Sequence, residues 1–251
     1  MNCILVESVP GESIRLSERA STHVVRVLKK GPGDPLLAGI INGPIGMVPI
    51  LGVEEGRVII GRPQGAPPVT PPVDIILAMP RPKVMKRLWA PLASMGVGSI
   101  TIIGGDRVES CYFDSHAVTP DLYQPRLIEG LEQVRDSRLP GVVIEPSFDR
   151  FASVLLPAWS TDGVRILAHH EGSSSMRNTV QPGRRVTIAI GPEGGWSRKE
   201  NEVFSAHGFI PVSLGPRTLR TDTALIALLA LAYDGLAELV PPAARVTPDN
   251  T

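Results

Sequence analysis

Three short segments in the last third of the chain combine residue types that hold and polarise small ligands: HHEG at 169–172, GPEGG at 191–195 and GPRTLRTDTA at 215–224. GPEGG follows an apolar run, VTIAI, and precedes WSRKE, which reads as the start of a helix. It lacks the GK[ST] of a Walker A loop and the spacing of a GxGxxG fingerprint, so the two commonest phosphate and dinucleotide cradles are excluded. What is left is a loop with little side-chain bulk, able to bring backbone N–H and C=O groups against a flat ligand, and the edge of an adenine suits such a seat. Glu193 would repel a phosphate and is better matched to a cofactor with positive charge near its reactive centre. The plain alternative is a tight strand-to-helix turn in which Glu193 caps the helix. In the third segment, Arg217 and Arg220 suit a phosphate or an acceptor group. Thr221 or Thr223 is placed to cap the following helix, whose free N–H groups suit an anion or an electron-rich base. A surface ion pair is the ordinary reading of either arginine taken singly. His169 and His170 stand beside the first segment, where a ligand contact and an ordinary loop role are both open.

The elements that must position these loops follow from the apolar pattern. VDIILAM (73–79), SITII (99–103), VVIEP (142–146), VRILA (164–168), VTIAI (186–190) and FIPVSL (209–214) read as buried strands. Helical stretches alternate with them at 84–96, in the later part of 121–138, in FASVLLPAW, at 199–208 and over 220–239. This alternation predicts an α/β domain with a largely parallel sheet, in which ligands sit beyond the carboxyl ends of the strands. The first 65 residues differ. CILVE (3–7), PLLAGI (35–40), IGMVPIL (45–51) and RVIIG (57–61) predict a small β domain. SERASTHVVRVLKK (17–30) is its one helix, capped by Ser17, stopped by GPG at 31–33 and presenting His23, Val24, Val27 and Leu28 on one face. Between the two lies GRPQGAPPVTPP, 61–72, with five prolines and two glycines in twelve positions, a semi-rigid connector.

The 251 residues are 43% hydrophobic and 20% charged, enough for a core, and 25 basic side chains balance 25 acidic ones. Zero net charge advertises no bulk attraction to nucleic acid and leaves the matter to local patches. Cys3 and Cys111 make neither a disulfide framework nor a zinc site, so no metal is expected. The beginning, MNCILVESVPG, reads as no signal peptide, and TALIALLALAY (223–233) is too short for a membrane span, so a cytoplasmic protein with no membrane association is expected.

IAIGPEGGWSRKE followed by VSLGPRTLRTDTALIALLAL resembles the C-terminal signature of the RsmE family, SPOUT-class methyltransferases that modify N3 of a uridine in small-subunit ribosomal RNA. THVVRVLKKGPGD, MGVGSITII and EQVRDSRLP are similar to the family's N-terminal, second-domain and central segments, in the same order along nearly the whole chain. The chain departs from the family pattern in VMKRLWAPLAS, in GGDRVESCYF and at Asp136, where an arginine is often found.

The resemblance implies a PUA-like β-barrel RNA-binding domain over residues 1–68 and, over 69–251, an α/β SPOUT domain with a deep trefoil knot. It implies a homodimer, S-adenosyl-L-methionine as cofactor, and small-subunit ribosomal RNA or the 30S particle as partner. Cofactor contacts carried over are Leu167, Ile190, Gly191, Gly195, Leu214, Leu219, Arg220 and Thr221. A cation is needed to favour the ring anion of uracil, and Arg220 and then Arg138 are the candidates for this catalytic role. Arg26, Lys29 and Lys30 form one basic cluster for RNA phosphates, and Arg81, Lys83, Lys86 and Arg87 a second. Two other readings stand beside this one: a SPOUT methyltransferase acting on another rRNA or tRNA nucleotide, and a non-catalytic RNA-binding or ribosome-assembly protein. A Rossmann-type oxidoreductase is disfavoured, since no glycine fingerprint follows an early strand.

Overall fold

The computed structural model describes residues 3–8, 10–159 and 162–237. The chain divides into two compact units, Met1–Thr70 with Leu127–Leu139, and Pro71–Arg126 with Pro140–Thr251.

The first unit is built on a five-stranded sheet of order β1-β3-β4-β5-β2, formed by β1 (Ile4–Val6), β2 (Ser13–Arg15), β3 (Pro35–Ile40), β4 (Ile45–Glu54) and β5 (Arg57–Gly61). The pairing of β1 with β3 is parallel and the other three are antiparallel. The ten residues of β4 pair with β3 along the first half and with β5 along the second. A register shift between Ile50 and Gly52 marks the change and curls the sheet. Alternate residues point inward, so Ile4, Ile14, Leu36, Ala38, Val48, Ile50, Val58 and Ile60 make the core.

Helix α1 (Glu18–Thr22) starts where expected, with the Ser17 hydroxyl accepting from the Ala20 amide at 3.2 Å. It does not continue as a regular helix. His23–Val27 form a π turn, and the Leu28 amide donates to the His23 carbonyl at 3.0 Å. The wider turn advances each residue through a smaller angle, so the expected apolar face breaks up: Val24 is fully buried while Val27 is 63% exposed.

The segment 127–139 belongs to this unit because its polar groups close onto it. The Leu5 amide donates to Glu132 at 3.1 Å, the Ser137 hydroxyl to the Gly43 carbonyl at 2.6 Å, and the Leu139 amide to Asn42 at 3.0 Å. Buried Cys3 has its thiol pushed up to about 12, mainly by burial and then by Glu132, so it stays an unreactive thiol.

The second unit holds a six-stranded sheet of order β11-β9-β10-β6-β7-β8, every neighbouring pair parallel. Its strands are β6 (Val73–Ala78), β7 (Val97–Ile103), β8 (Gly141–Glu145), β9 (Gly163–Ala168), β10 (Arg185–Ile190) and β11 (Ile210–Val212). Central strands covered on both faces need continuous apolar runs, and all six residues of β6 are buried. Asp74 interrupts that run and is satisfied by Ser99 at 2.7 Å and by the Arg185 guanidinium at 2.7 and 3.1 Å.

The helices are α2 (Pro82–Ser94), α3 (Pro120–Val134), α4 (Phe148–Arg150), α5 (Leu156–Ala158), α6 (Met176–Thr179), α7 (Arg198–Ala206) and α8 (Thr221–Leu236), and a π turn at Phe151–Leu155 joins α4 to α5. Strand order reverses at β6: the chain moves outward through β7 and β8, then fills the other side with β9, β10 and β11. The apolar helix α8 buries Leu225, Leu228, Leu229, Ala232 and Leu236. Among the described residues no helix is long and apolar enough to cross a membrane.

Glu132 generates a pH prediction for the first unit. Burial raises its pKa above the ordinary 4.5, against the opposing hydrogen bond from Leu5. The native state therefore holds this proton to higher pH than the unfolded chain, and its contribution to stability declines as pH rises above 4.5. Glu132→Gln keeps an acceptor for Leu5 and removes the titration. Urea unfolding at a series of pH values is expected to show a flatter profile above 4.5 and a more stable protein at neutral pH.

Candidate functional site

The carboxyl ends of β9, β10 and β11 open into one cavity of about 280 Å³, near the lower end of small-molecule sites at ~300 Å³. Ala168 at the end of β9 and His169 and His170 of the loop after it form one wall. The loop after β10 contributes the whole of Gly191–Trp196. The loop after β11 contributes Ser213–Gly215 and Arg217–Leu219, and α8 adds Thr221 and Ala224. Ile190 and Val212 at the strand ends and Arg107, from the loop after β7, complete the lining. The three segments singled out by residue type are thus walls of one site, at the end of the parallel strands where such sheets bind ligands.

The walls are pinned by short polar contacts. The His169 amide donates to the Val212 carbonyl at 3.0 Å, and the Ser213 hydroxyl reaches the His170 carbonyl at 3.2 Å, so the loops after β9 and β11 hold each other. Gly172 sits against β11 so closely that a Cβ would lie 2.6 Å from the Val212 carbonyl carbon, which only glycine avoids. The imidazoles of His169 and His170 stack with centroids 4.9 Å apart, and His169 Nδ1 accepts from the Glu171 amide at 3.2 Å.

The loop after β10 ends in a capping box, with the Ser197 hydroxyl accepting from the Glu200 amide and the Glu200 carboxyl accepting from the Ser197 amide at 2.6 Å. Ser197 therefore caps α7, which removes the alternative in which Glu193 does so: Glu193 is exposed and lines the cavity, four residues before the cap. Glu200 is fully buried, and its other oxygen accepts from the Asp106 amide at 2.8 Å. One side chain thus ties the loop after β7 to the start of α7. Trp196, 5% exposed, roots the same loop among Phe148, Phe204 and neighbouring rings.

Of the residues carried over as cofactor contacts, Ile190, Gly191, Gly195, Leu214, Leu219 and Thr221 line the cavity. Leu167 lies one residue short of it, 3% exposed in the core, where Ala168 takes the wall. Arg220 is the N-cap residue of α8 and does not line the cavity. Its side chain is 71% exposed and lies 3.5 Å from Asp222. Neither Thr221 nor Thr223 caps α8: Thr221 is its first residue, with its hydroxyl 3.5 Å from the Gly191 carbonyl.

Arg138 belongs to the first unit, where its Nε donates to the Pro68 carbonyl at 2.8 Å and its amide to Asp136 at 2.9 Å. In the same unit Arg26 and Lys29 are exposed, while Lys30 donates to the Pro35 carbonyl. In the second unit Arg81, Lys83, Lys86 and Arg87 lie at the start of α2, and Arg87 pairs with Asp222 at 3.2 Å. Sequence reasoning missed Arg107 and Glu200. GGDRV offers no local pattern that marks Arg107, and Glu200 is legible as the N3 member of a Ser-x-x-Glu box.

Residues 68–233 match the model of the RNA methyltransferase domain family. The ribosomal RNA small subunit methyltransferase E of Treponema pallidum is 33% identical over 99% of this chain and 98% of its own length. A Legionella pneumophila protein solved with its bound cofactor SAM is 26% identical, with a TM-score of 0.72 over 93% of this chain and 97% of that one. The ribosomal RNA small subunit methyltransferase E of Neisseria gonorrhoeae, bound to S-adenosyl methionine, shares the fold at a TM-score of 0.76 and 18% identity, over 94% of this chain and 98% of that one.

Glu200→Ala tests the clamp. It leaves the part-buried hydrogen bonds of the Asp106 and Ser197 amides without their acceptor, and each unsatisfied donor costs up to about 1–3 kcal/mol. Denaturant unfolding is expected to show destabilisation by roughly 2–4 kcal/mol; a change of only a few tenths would mean that water or a neighbour replaces the carboxyl group.

Proposed function

The chain belongs to the ribosomal RNA small subunit methyltransferase E family, and we infer that it methylates N3 of a uridine in small-subunit ribosomal RNA with S-adenosyl-L-methionine as donor. The observation that carries this is the cavity itself, walled by the main chain of three loops at the ends of adjacent parallel strands. The lining suits the donor. Ile190, Leu214 and Leu219 offer apolar surface for a purine. The glycines of the 191–195 loop leave main-chain groups open to its edge, and Glu193 offers an anion to a positively charged ligand. When bound, the cofactor supplies a methyl group on a sulfonium; the uracil nitrogen's electron pair forms the new N–C bond while the C–S pair stays on sulfur.

The protein's own contribution is to position and to charge. Neutral uracil carries a proton on N3, so the ring anion has to be favoured, and a fixed cation beside a carbonyl oxygen does this. In this reading Arg220, leading into α8 next to Thr221, is the first candidate for that cation and Arg138 the second. Arg26, Lys29 and Lys30 on the first unit and Arg81, Lys83, Lys86 and Arg87 on the second hold phosphates.

The same reading takes residues 1–68 as a PUA-like domain and residues 69–251 as a SPOUT domain with the family's trefoil knot, with 127–139 of the latter closing onto the first unit. It takes the working form as a cytoplasmic homodimer. Ile226 and Leu231, 36% and 42% exposed on α8, support an association through that helix by leaving apolar surface in water.

Mass-spectrometric mapping of small-subunit rRNA from cells with and without this chain tests the function. One uridine is expected to lack its N3-methyl group when the chain is missing; an unchanged map, or disappearance of a mark elsewhere, rejects it. Arg220→Ala is expected to lower single-turnover transfer roughly 100-fold, with cofactor affinity retained. Replacing Arg81, Lys83 and Lys86 together by Ala is expected to weaken RNA binding and reduce the slope of log affinity against log salt by about 2, at ~0.7 for each single-strand phosphate that is no longer neutralised.

A further inference from the structure

Uracil N3 lies between two carbonyl groups, and the charge of its anion is shared by both of their oxygens. One cation answers only half of that charge, so the site calls for a second. The cavity lining of the described residues contains two guanidinium groups, Arg107 and Arg217. Arg217 stands on the loop that leads into α8. Arg107 is fixed at both ends: the preceding amide, of Asp106, donates to buried Glu200 at 2.8 Å, and its own Nη1 donates to the Gly194 carbonyl. Gly194 of GPEGG favours this. A Cβ on Gly194 would come within 3.1 Å of Arg107 Cδ, and one on Gly195, whose φ is +73°, within 3.8 Å of Nη1. Gly194 thus makes room for the arginine, and its carbonyl holds one arm of the fork. A guanidinium has five N–H donors, and a single carbonyl leaves the others for an acceptor.

Resting on the function proposed above, we propose that Arg107 is a catalytic residue whose guanidinium binds one carbonyl oxygen of the target uracil and favours release of the N3 proton to solvent before methyl transfer. A cation held in place before the reaction stabilises developing negative charge without reorganising at the moment of transfer. Arg107 takes one carbonyl oxygen and Arg220 the other, from loops that leave different strands.

The test compares the parent chain with Arg107→Ala, Arg107→Lys and Gly194→Ala. S-adenosylmethionine binding is measured by calorimetry and single-turnover methylation of small-subunit rRNA as a function of pH. For Arg107→Ala the expected result is unchanged cofactor affinity, transfer lowered roughly 100-fold at neutral pH, and a rising limb displaced to higher pH. Arg107→Lys is expected to recover part of the rate and move the limb back. Gly194→Ala, in the loop that also borders the cofactor, is expected to lower transfer and shift the limb less than Arg107→Ala does, with cofactor binding weakened as well. An active parent with Arg107→Ala unaltered in rate and pH profile overturns the proposal alone. Weakened cofactor affinity with an unmoved pH profile at saturating cofactor overturns it in favour of a scaffolding role. A parent that binds the cofactor and methylates no ribosomal RNA overturns the function and the proposal together.

Discussion

Glu200 is fully buried, and its two oxygens accept amide protons from loops that follow two different strands, β7 and β10. A buried carboxyl group without partners is costly, so the loops must come together for the second unit to close without that cost. This constraint decides the local architecture. It starts α7, turns the 191–196 segment back toward the sheet, and carries Arg107 with Asp106 to the cavity wall. The loops after β9 and β11 are fastened separately, through the Val212 and His170 carbonyls. A site made largely of main chain is exact only if its loops are held, and here they are held by a handful of hydrogen bonds and by the aromatic cluster under Trp196.

Most of the fold is legible in the sequence because parallel strands buried on both faces must be apolar throughout. β6, β7, β9 and β10 all fall where such runs predict them. β2 is not legible: SIR offers three residues with one buried side chain, too little pattern to register. The π turn at His23–Val27 is not legible either. VVRV reads as a regular amphipathic helix, and the one-residue change in hydrogen-bond spacing that exposes Val27 leaves no local mark. Segment 127–139 reads as an ordinary helix and its end. The contacts from Glu132 to Leu5 and from Ser137 to Gly43 that make it part of the first unit join residues 127 and 94 positions apart.

For the site, residue type located the loops, and the resemblance named six of the residues that line the cavity. Spacing along the chain could not tell Leu167 from Ala168, because alternation within β9 decides which of them faces the core. Nor could it find Arg107, whose partner is 87 residues away and whose place depends on a glycine that looks like a simple turn residue. Gly194 acquires a second reason from this: it clears space for a side chain as well as for a ligand.

If the loops after β7, β9, β10 and β11 form one cofactor site, a single ligand must quiet all four together. Hydrogen–deuterium exchange with and without S-adenosylmethionine reads this out. Slowed exchange is expected in 104–108, 168–172, 190–197 and 213–221 at the same cofactor concentration. Protection confined to one of these segments, or found elsewhere in the chain, would contradict a shared site.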